Sequence, residues 1–228
     1  MTLDPQSVEA KSWLAAELAA RVMDEMTDST IADIARAEVS VGEALAALPR
    51  SPLAHFAKGQ VLRAQKRFEE AIPEYEMAVA FNRDWVSAIA HLGLAKFYAG
   101  WIEAMIPAQE QAIRLSPRDP YIGNWYSRIG QVHLIQSRID EAIVWFEKAR
   151  SANPLHPLSH AHLASAHALR GETERAALEL AEARRLSDSR YWSIACLKTA
   201  QYFGMPKVCA LFEATYFAGL RKAGMPEE

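Results

Sequence analysis

Residues 67–83 read RFEEAIPEYEMAVAFNR, and residues 138–154 read RIDEAIVWFEKARSANP. Two copies of one amphipathic pattern, 71 residues apart, constrain this chain more than any other feature. The offset is twice 34 plus three, and the 34-residue period recurs in other columns. Gly59 returns as Gly93, and Gly130 as Ala164. Ala71 returns as Met105, Ala142 as Ala176 and then Ala210, Ala78 as Ala112, and Ala149 as Ala183. A fixed period of this length marks stacked units, none of which buries its apolar face alone.

Each unit holds two apolar-periodic runs of about a dozen residues with a short break between them, which predicts a helix–turn–helix. Small residues at the eighth, twentieth and twenty-seventh positions let the two helices cross closely, because a core packed to crystal density has no room for a bulky chain there. The breaks RAQKRF, YAGWI, IQSRI and LRGET separate the paired helices, with Gly100 and Gly171 at equivalent turn positions. Pro49, Pro117 and Pro154 fall where second helices must stop. Pro73 and Pro107 share one place in consecutive units and read as start signals in the first turn of second helices.

The units span 8–51, 52–85, 86–119, 123–156 and 157–190, with Pro120–Ile122 inserted and a degenerate helical cap over 191–224. The first unit carries about ten extra residues, MDEMTDSTIA, at its turn. Its first helix is predicted to run through Met23, with Asp28 or Ser29 capping a second helix near Ile31. The opening LDP matches the exit of a repeat, which implies a unit before it.

A net charge of −3 lacks the basic excess that phosphate backbones demand, so nucleic acid is not an expected partner. No signal-type segment and no continuous apolar run of spanning length is present, which points to a soluble, cytoplasmic protein without a membrane role. Cys196 and Cys209 sit thirteen apart in apolar surroundings and are expected to be buried, reduced thiols.

No Gly-rich phosphate loop, nucleophile elbow or paired-carboxylate signature occurs, so no catalytic residue and no cofactor is assigned. Four histidines crowd into NPLHPLSHAHLASAHAL. His156 and His160 have i, i+4 spacing, but Pro157 puts His156 at the helix entrance, and no metal site is assigned. His160 and His167 share a face, and His162 points elsewhere.

Gly or Ala at position eight, Ala at twenty, an aromatic at twenty-four (Tyr75, Phe146), Ala at twenty-seven and Pro at thirty-two resemble the tetratricopeptide repeat. Arg83 and Asp188 depart from the terminal proline, and Lys198 and Phe217 from the small residues of the last unit. The resemblance implies an all-helical, right-handed solenoid whose first helices line a concave groove. It assigns to that groove Phe56, Gln60 and Arg63; His91, Leu94 and Tyr98; Asn124, Arg128 and Gln131; and His162. Relatives that grip a chaperone's C-terminal carboxylate use Lys at position five and Asn at nine, and Phe56/Gln60, Ala90/Leu94, Ser127/Gln131 and Ala161/Ser165 do not match that clamp.

An apolar groove with Arg63 and Arg128 and no acid suits a protein or peptide segment bearing an acidic or C-terminal carboxylate group. A competing expectation has the chain's own termini covering part of the stripe. RLSPRDP, NPLHPLSHAHLASAHALRGETERA and GLRKAGMPEE further resemble the C-terminal repeat region of bacterial class III adenylate/guanylate cyclases and related winged-helix regulators. Three functions follow: an interaction scaffold, possible as a homo-oligomer; the regulatory arm of such a cyclase; or a small-molecule sensor with a closed apolar pocket near Phe97, Tyr98 and Ile135.

Overall fold

A computed structural model describes residues 7–24, 26–187, 192–199 and 204–228. The opening LDP and Asp188 lie outside the described residues. Helices α1 (Val8–Met23) and α2 (Thr30–Ala47) form the first pair, and α3 (Pro52–Ala64) and α4 (Phe68–Phe81) the second. The third pair is α5 (Val86–Tyr98) with a 3-10 turn (Ile102–Ala104) leading into α6 (Met105–Leu115). The fourth is α7 (Ile122–Ile135) with α8 (Ile139–Ala152), and the fifth α9 (Pro157–Arg170) with α10 (Thr173–Leu186). Each helix packs on its partner, the second helices α2, α4, α6 and α8 each pack on the first helix of the next pair, and no strand occurs among the described residues.

Local chemistry sets these boundaries. Ser7, Ser29 and Ser51 accept from the backbone N–H of Ala10, Ala32 and Ala54, capping α1, α2 and α3. Pro52 and Pro157 occupy first turns, where no N–H is needed. The fifteenth position of each unit takes a left-handed backbone: Lys66 (φ 61°), Gly100 (φ 96°), Ser137 (φ 60°) and Gly171 (φ 88°). Two of the four are therefore not glycine, which the turn geometry would favour.

Position eight answers position twenty-four. A Cβ on Gly59 would stand 2.7 Å from the Tyr75 ring, and one on Gly130 2.5 Å from that of Phe146. Where position twenty-four is the smaller Leu180, position eight carries the extra methyl of Ala164, and both are buried. The repeat therefore conserves a volume across the helix crossing, as close packing requires.

Two expectations need correction. Pro73 lies inside α4 and not in its first turn; Pro107 does fall in the first turn of α6, after the 3-10 segment. The thiols are not buried: Cys196 is half-buried and Cys209 exposed.

Helices α11 (Ile194–Thr199), α12 (Pro206–Phe212) and α13 (Ala218–Lys222), the last two joined by a π-helical turn (Glu213–Phe217), complete the chain. The last unit leaves the phase of the others. Ala210, in the column of Ala142 and Ala176, is exposed, whereas Phe217 is buried.

Candidate partner-binding groove

The C-terminal segment folds back onto the first helices. Val208, Phe212, Tyr216 and Leu220, spaced by four, are all buried, as one face of a helix laid into a groove must be. Phe212 meets the Phe97 ring edge-on at 6.0 Å, and Tyr216 lies 5.0 Å from the His162 ring. Ser165 Oγ donates to the Tyr216 carbonyl at 2.8 Å, and the Met205 N–H donates to the Tyr98 carbonyl at 2.8 Å. The space beside Phe97, Tyr98 and Ile135 is thus part of a core cluster with Phe212 and Tyr216, not the sensor pocket anticipated from sequence.

The ten groove residues divide accordingly. Leu94 belongs to the core with Phe97. His162, 4% exposed, stacks on Phe146 with ring centroids 4.8 Å apart, and its two nitrogens meet Ser127 Oγ and Gln131 Nε2 at 3.1 Å each. The Gln131 Nε2 atom can only donate, so in this arrangement the ring accepts at Nε2 and carries its proton on Nδ1. Burial, followed by the charge of His156, lowers its pKa to about 3.

The remaining residues gather around two arginines. Gln60 Oε1 accepts from the Tyr75 hydroxyl at 2.8 Å and from Arg63 Nη1 at 3.0 Å. Phe56 meets His91 edge-on at 5.4 Å, and His91 donates from Nδ1 to the Ser87 carbonyl at 2.7 Å. Arg128 Nη1 reaches Gln109 Oε1 at 3.5 Å. Asn124 is half-buried on the same helix as Arg128, and Tyr98 is buried against Phe68.

The electrostatics are one-sided. Burial and then the Arg63 charge bring Arg128 down to about 10, so it stays protonated at neutral pH. Burial, with both arginines adding, holds His91 well below the usual imidazole range. Burial raises Tyr98, and raises Tyr75 to about 12. Neither arginine forms an ion pair among the described residues, and Arg63 Nε is buried without an acceptor. Each guanidinium thus contacts a neutral glutamine amide, Arg63 that of Gln60 and Arg128 that of Gln109. Both arginines are half-buried, so part of each side chain remains open to solvent.

Gln109 was not singled out from sequence. It is fully buried, donates to the Ala90 carbonyl at 2.9 Å, and reaches Arg128 from beneath. Its signal was a polar residue at position twenty-four, where Tyr75 and Phe146 are aromatic. The histidines behind the groove are structural: His55 and His160 each bridge a glutamate (Glu74, Glu179) at 2.7 Å and the carbonyl of the preceding unit's proline (Pro49, Pro154) at 3.0 Å. No group of three potential metal ligands and no helix long and apolar enough to cross a membrane is found among the described residues.

The tetratricopeptide repeat model matches residues 31–84 and 127–190, just over half of the chain. The chain belongs to the tetratricopeptide repeat family. Among solved structures it is similar to PilF of Pseudomonas aeruginosa, with TM-score 0.65 at 16% identity over 93% of this chain and 88% of that one. It is also similar to TTC0263, a thermophilic repeat protein of Thermus thermophilus, with TM-score 0.63 at 17% identity over 94% and 100%. YrrB, described as a repeat protein with an unusual peptide-binding site, gives TM-score 0.57 at 16% identity over 86% and 93%. No curated protein matches the chain. At these identities the structures establish the solenoid fold alone.

Proposed function

We propose that this chain is a non-catalytic scaffold that holds a segment of a partner protein in the uncovered part of its concave groove. The observation that carries this is Arg63 and Arg128, on the first helices α3 and α7, each held on a glutamine amide and neither in an ion pair among the described residues. A partner's acidic side chain or terminal carboxylate supplies the missing charge, and the aromatic floor supplies apolar contact. Membership in a family of interaction scaffolds, and a fold shared with a protein whose title names a peptide-binding site, support the same reading. The cyclase-arm reading, with its bacterial and signalling implications, draws no support from the family match or from these structures.

Selection of a random peptide display library on the purified chain tests the proposal. Selected peptides should be enriched in Asp, Glu or a free C-terminus beside an apolar residue, and the enrichment should vanish on the Arg63→Ala/Arg128→Ala protein. Sequences without acidic character, selected equally by both proteins, would place the docking site elsewhere. Conversion of ATP or GTP to a cyclic nucleotide by the purified chain would overturn the non-enzyme assignment.

A further inference from the structure

The segment that fills the C-terminal part of the groove is not a further repeat. Ala210 is exposed where Ala142 and Ala176 are fully buried, and Phe217 is buried where the other units carry alanine. It is seated as a ligand is. Val208, Phe212, Tyr216 and Leu220 put one apolar face against the first helices, the helix-in-groove mode of recognition. Two glycines let its backbone come close. A Cβ on Gly204 would stand 2.8 Å from the Tyr98 carbonyl oxygen on α5, and one on Gly219 2.2 Å from Ser165 Oγ on α9. The Met205 N–H donates to that Tyr98 carbonyl, and Tyr216 lies 5.0 Å from the His162 ring. Tyr98 and His162 are two of the positions expected to face a partner, so the chain's own tail stands in a partner's place.

The tail has little to hold its helix together away from that surface. Seven residues of α12 and five of α13 flank a π-helical turn of five, a rare form of the helix that recurs at functional sites. Neither α-helical stretch reaches the roughly 12–15 residues that an isolated helix needs. Thr215 Oγ1 donates to the Leu211 carbonyl at 2.7 Å, a back-bond that weakens and bends a helix. The ion pairs Lys198–Glu213 at 2.7 Å and Arg221–Glu213 at 2.8 Å stay within the C-terminal helices, and none among the described residues joins the tail to α1–α10.

Beyond the arginine reading above, we propose that residues 204–225 are a built-in competitor for the groove. A partner carrying an amphipathic helix with the same four-residue apolar spacing docks over α5, α7 and α9 by displacing them. The seated tail defines that partner: large apolar groups to meet Phe97 and His162, and a glycine where the helix crosses Ser165. Docking is held off until a partner outbinds the tail.

Hydrogen exchange on the full chain and a fluorescent peptide of residues 204–225 test this. Amides of 206–222 should exchange together and roughly tenfold or more faster than those of α9, because the tail opens while the solenoid stays folded. The peptide should bind the full chain, and should bind Gly219→Val roughly tenfold or more tightly, since that substitution loosens the resident tail and raises the fraction of open groove. A peptide with Phe212→Ala and Tyr216→Ala should bind neither protein. If Gly219→Val does not fold, exchange and peptide binding on the wild-type chain decide alone.

Exchange of 206–222 at the rate of α9 overturns the proposal and makes the tail a fixed part of the core. So does a peptide that neither folded chain binds, or one that binds as tightly without its two aromatics. An acidic peptide that still binds through Arg63 and Arg128 in that event leaves the arginine reading intact.

Discussion

Lys66 and Ser137 hold the turn position that Gly100 and Gly171 hold in the neighbouring units, all with positive φ. A side chain there costs roughly 1–2 kcal/mol, partly offset by the greater freedom glycine has in the unfolded chain. Lys66→Gly and Ser137→Gly should therefore each stabilise the fold by roughly 0.5–1 kcal/mol in urea unfolding, and a loss of stability would show the strain is relieved elsewhere. His162 gives a second prediction. Its pKa falls from the ordinary 6.5 to about 3 on folding, so below pH 6.5 the unfolded chain binds the extra proton. Its contribution is intact above pH 6.5, declines as pH falls, and stops changing below about 3. The slope approaches about 1.4 kcal/mol per pH unit, and His91 adds in the same direction. His162→Phe, which can keep the stack on Phe146, should flatten that slope in acid unfolding; an unchanged slope would mean the ring is not neutral when folded. At this scale the resemblance to the tetratricopeptide repeat put Arg63 and Arg128 on first helices, and they lie there on α3 and α7. Gln109 was not foreseen, because its role depends on how far a side chain reaches beneath α5, and the Gly93 that admits it looks like any other position-eight glycine.

The helices themselves were close to fully legible. Period and terminal prolines placed α1 through Met23 and left the cap of α2 between Asp28 and Ser29, of which the structure uses Ser29. Pro73 was misplaced because the helix begins five residues earlier, at Phe68, and an interior proline leaves no local mark once packing outweighs its lost hydrogen bond. The C-terminal segment was legible in part: the expectation that the chain's own termini cover part of the groove holds for it, whereas its packing register was not foreseen. Its apolar residues at 208, 212, 216 and 220 announce an amphipathic helix, but periodicity does not say which surface receives it. It lies on α9 through Gly219, where a Cβ would stand 2.2 Å from Ser165 Oγ and 2.5 Å from the Ser165 carbonyl oxygen. Gly219→Val should lift α13 from α9 and lower stability by roughly 2–3 kcal/mol, with increased binding of a hydrophobic dye. An unchanged melting temperature and dye signal would show that the segment does not depend on this contact.

Across the whole molecule, the solenoid and the segment that folds into it divide the groove. One part is filled by Phe212 and Tyr216 and serves stability; the other holds Arg63 and Arg128 and is the part proposed for recognition. On the proposed reading, Arg63 and Arg128 would attract and orient an anionic segment, an effect that weakens with added salt. The most direct test is calorimetric titration of a display-selected peptide into the wild-type chain and into Arg63→Ala/Arg128→Ala, with melting temperatures measured in parallel. Affinity should fall by roughly 1–3 kcal/mol and fall less steeply with salt in the variant, while the melting temperature holds. Unaltered affinity together with a loss of folding would contradict the assignment, making the arginines structural and moving the partner off the groove.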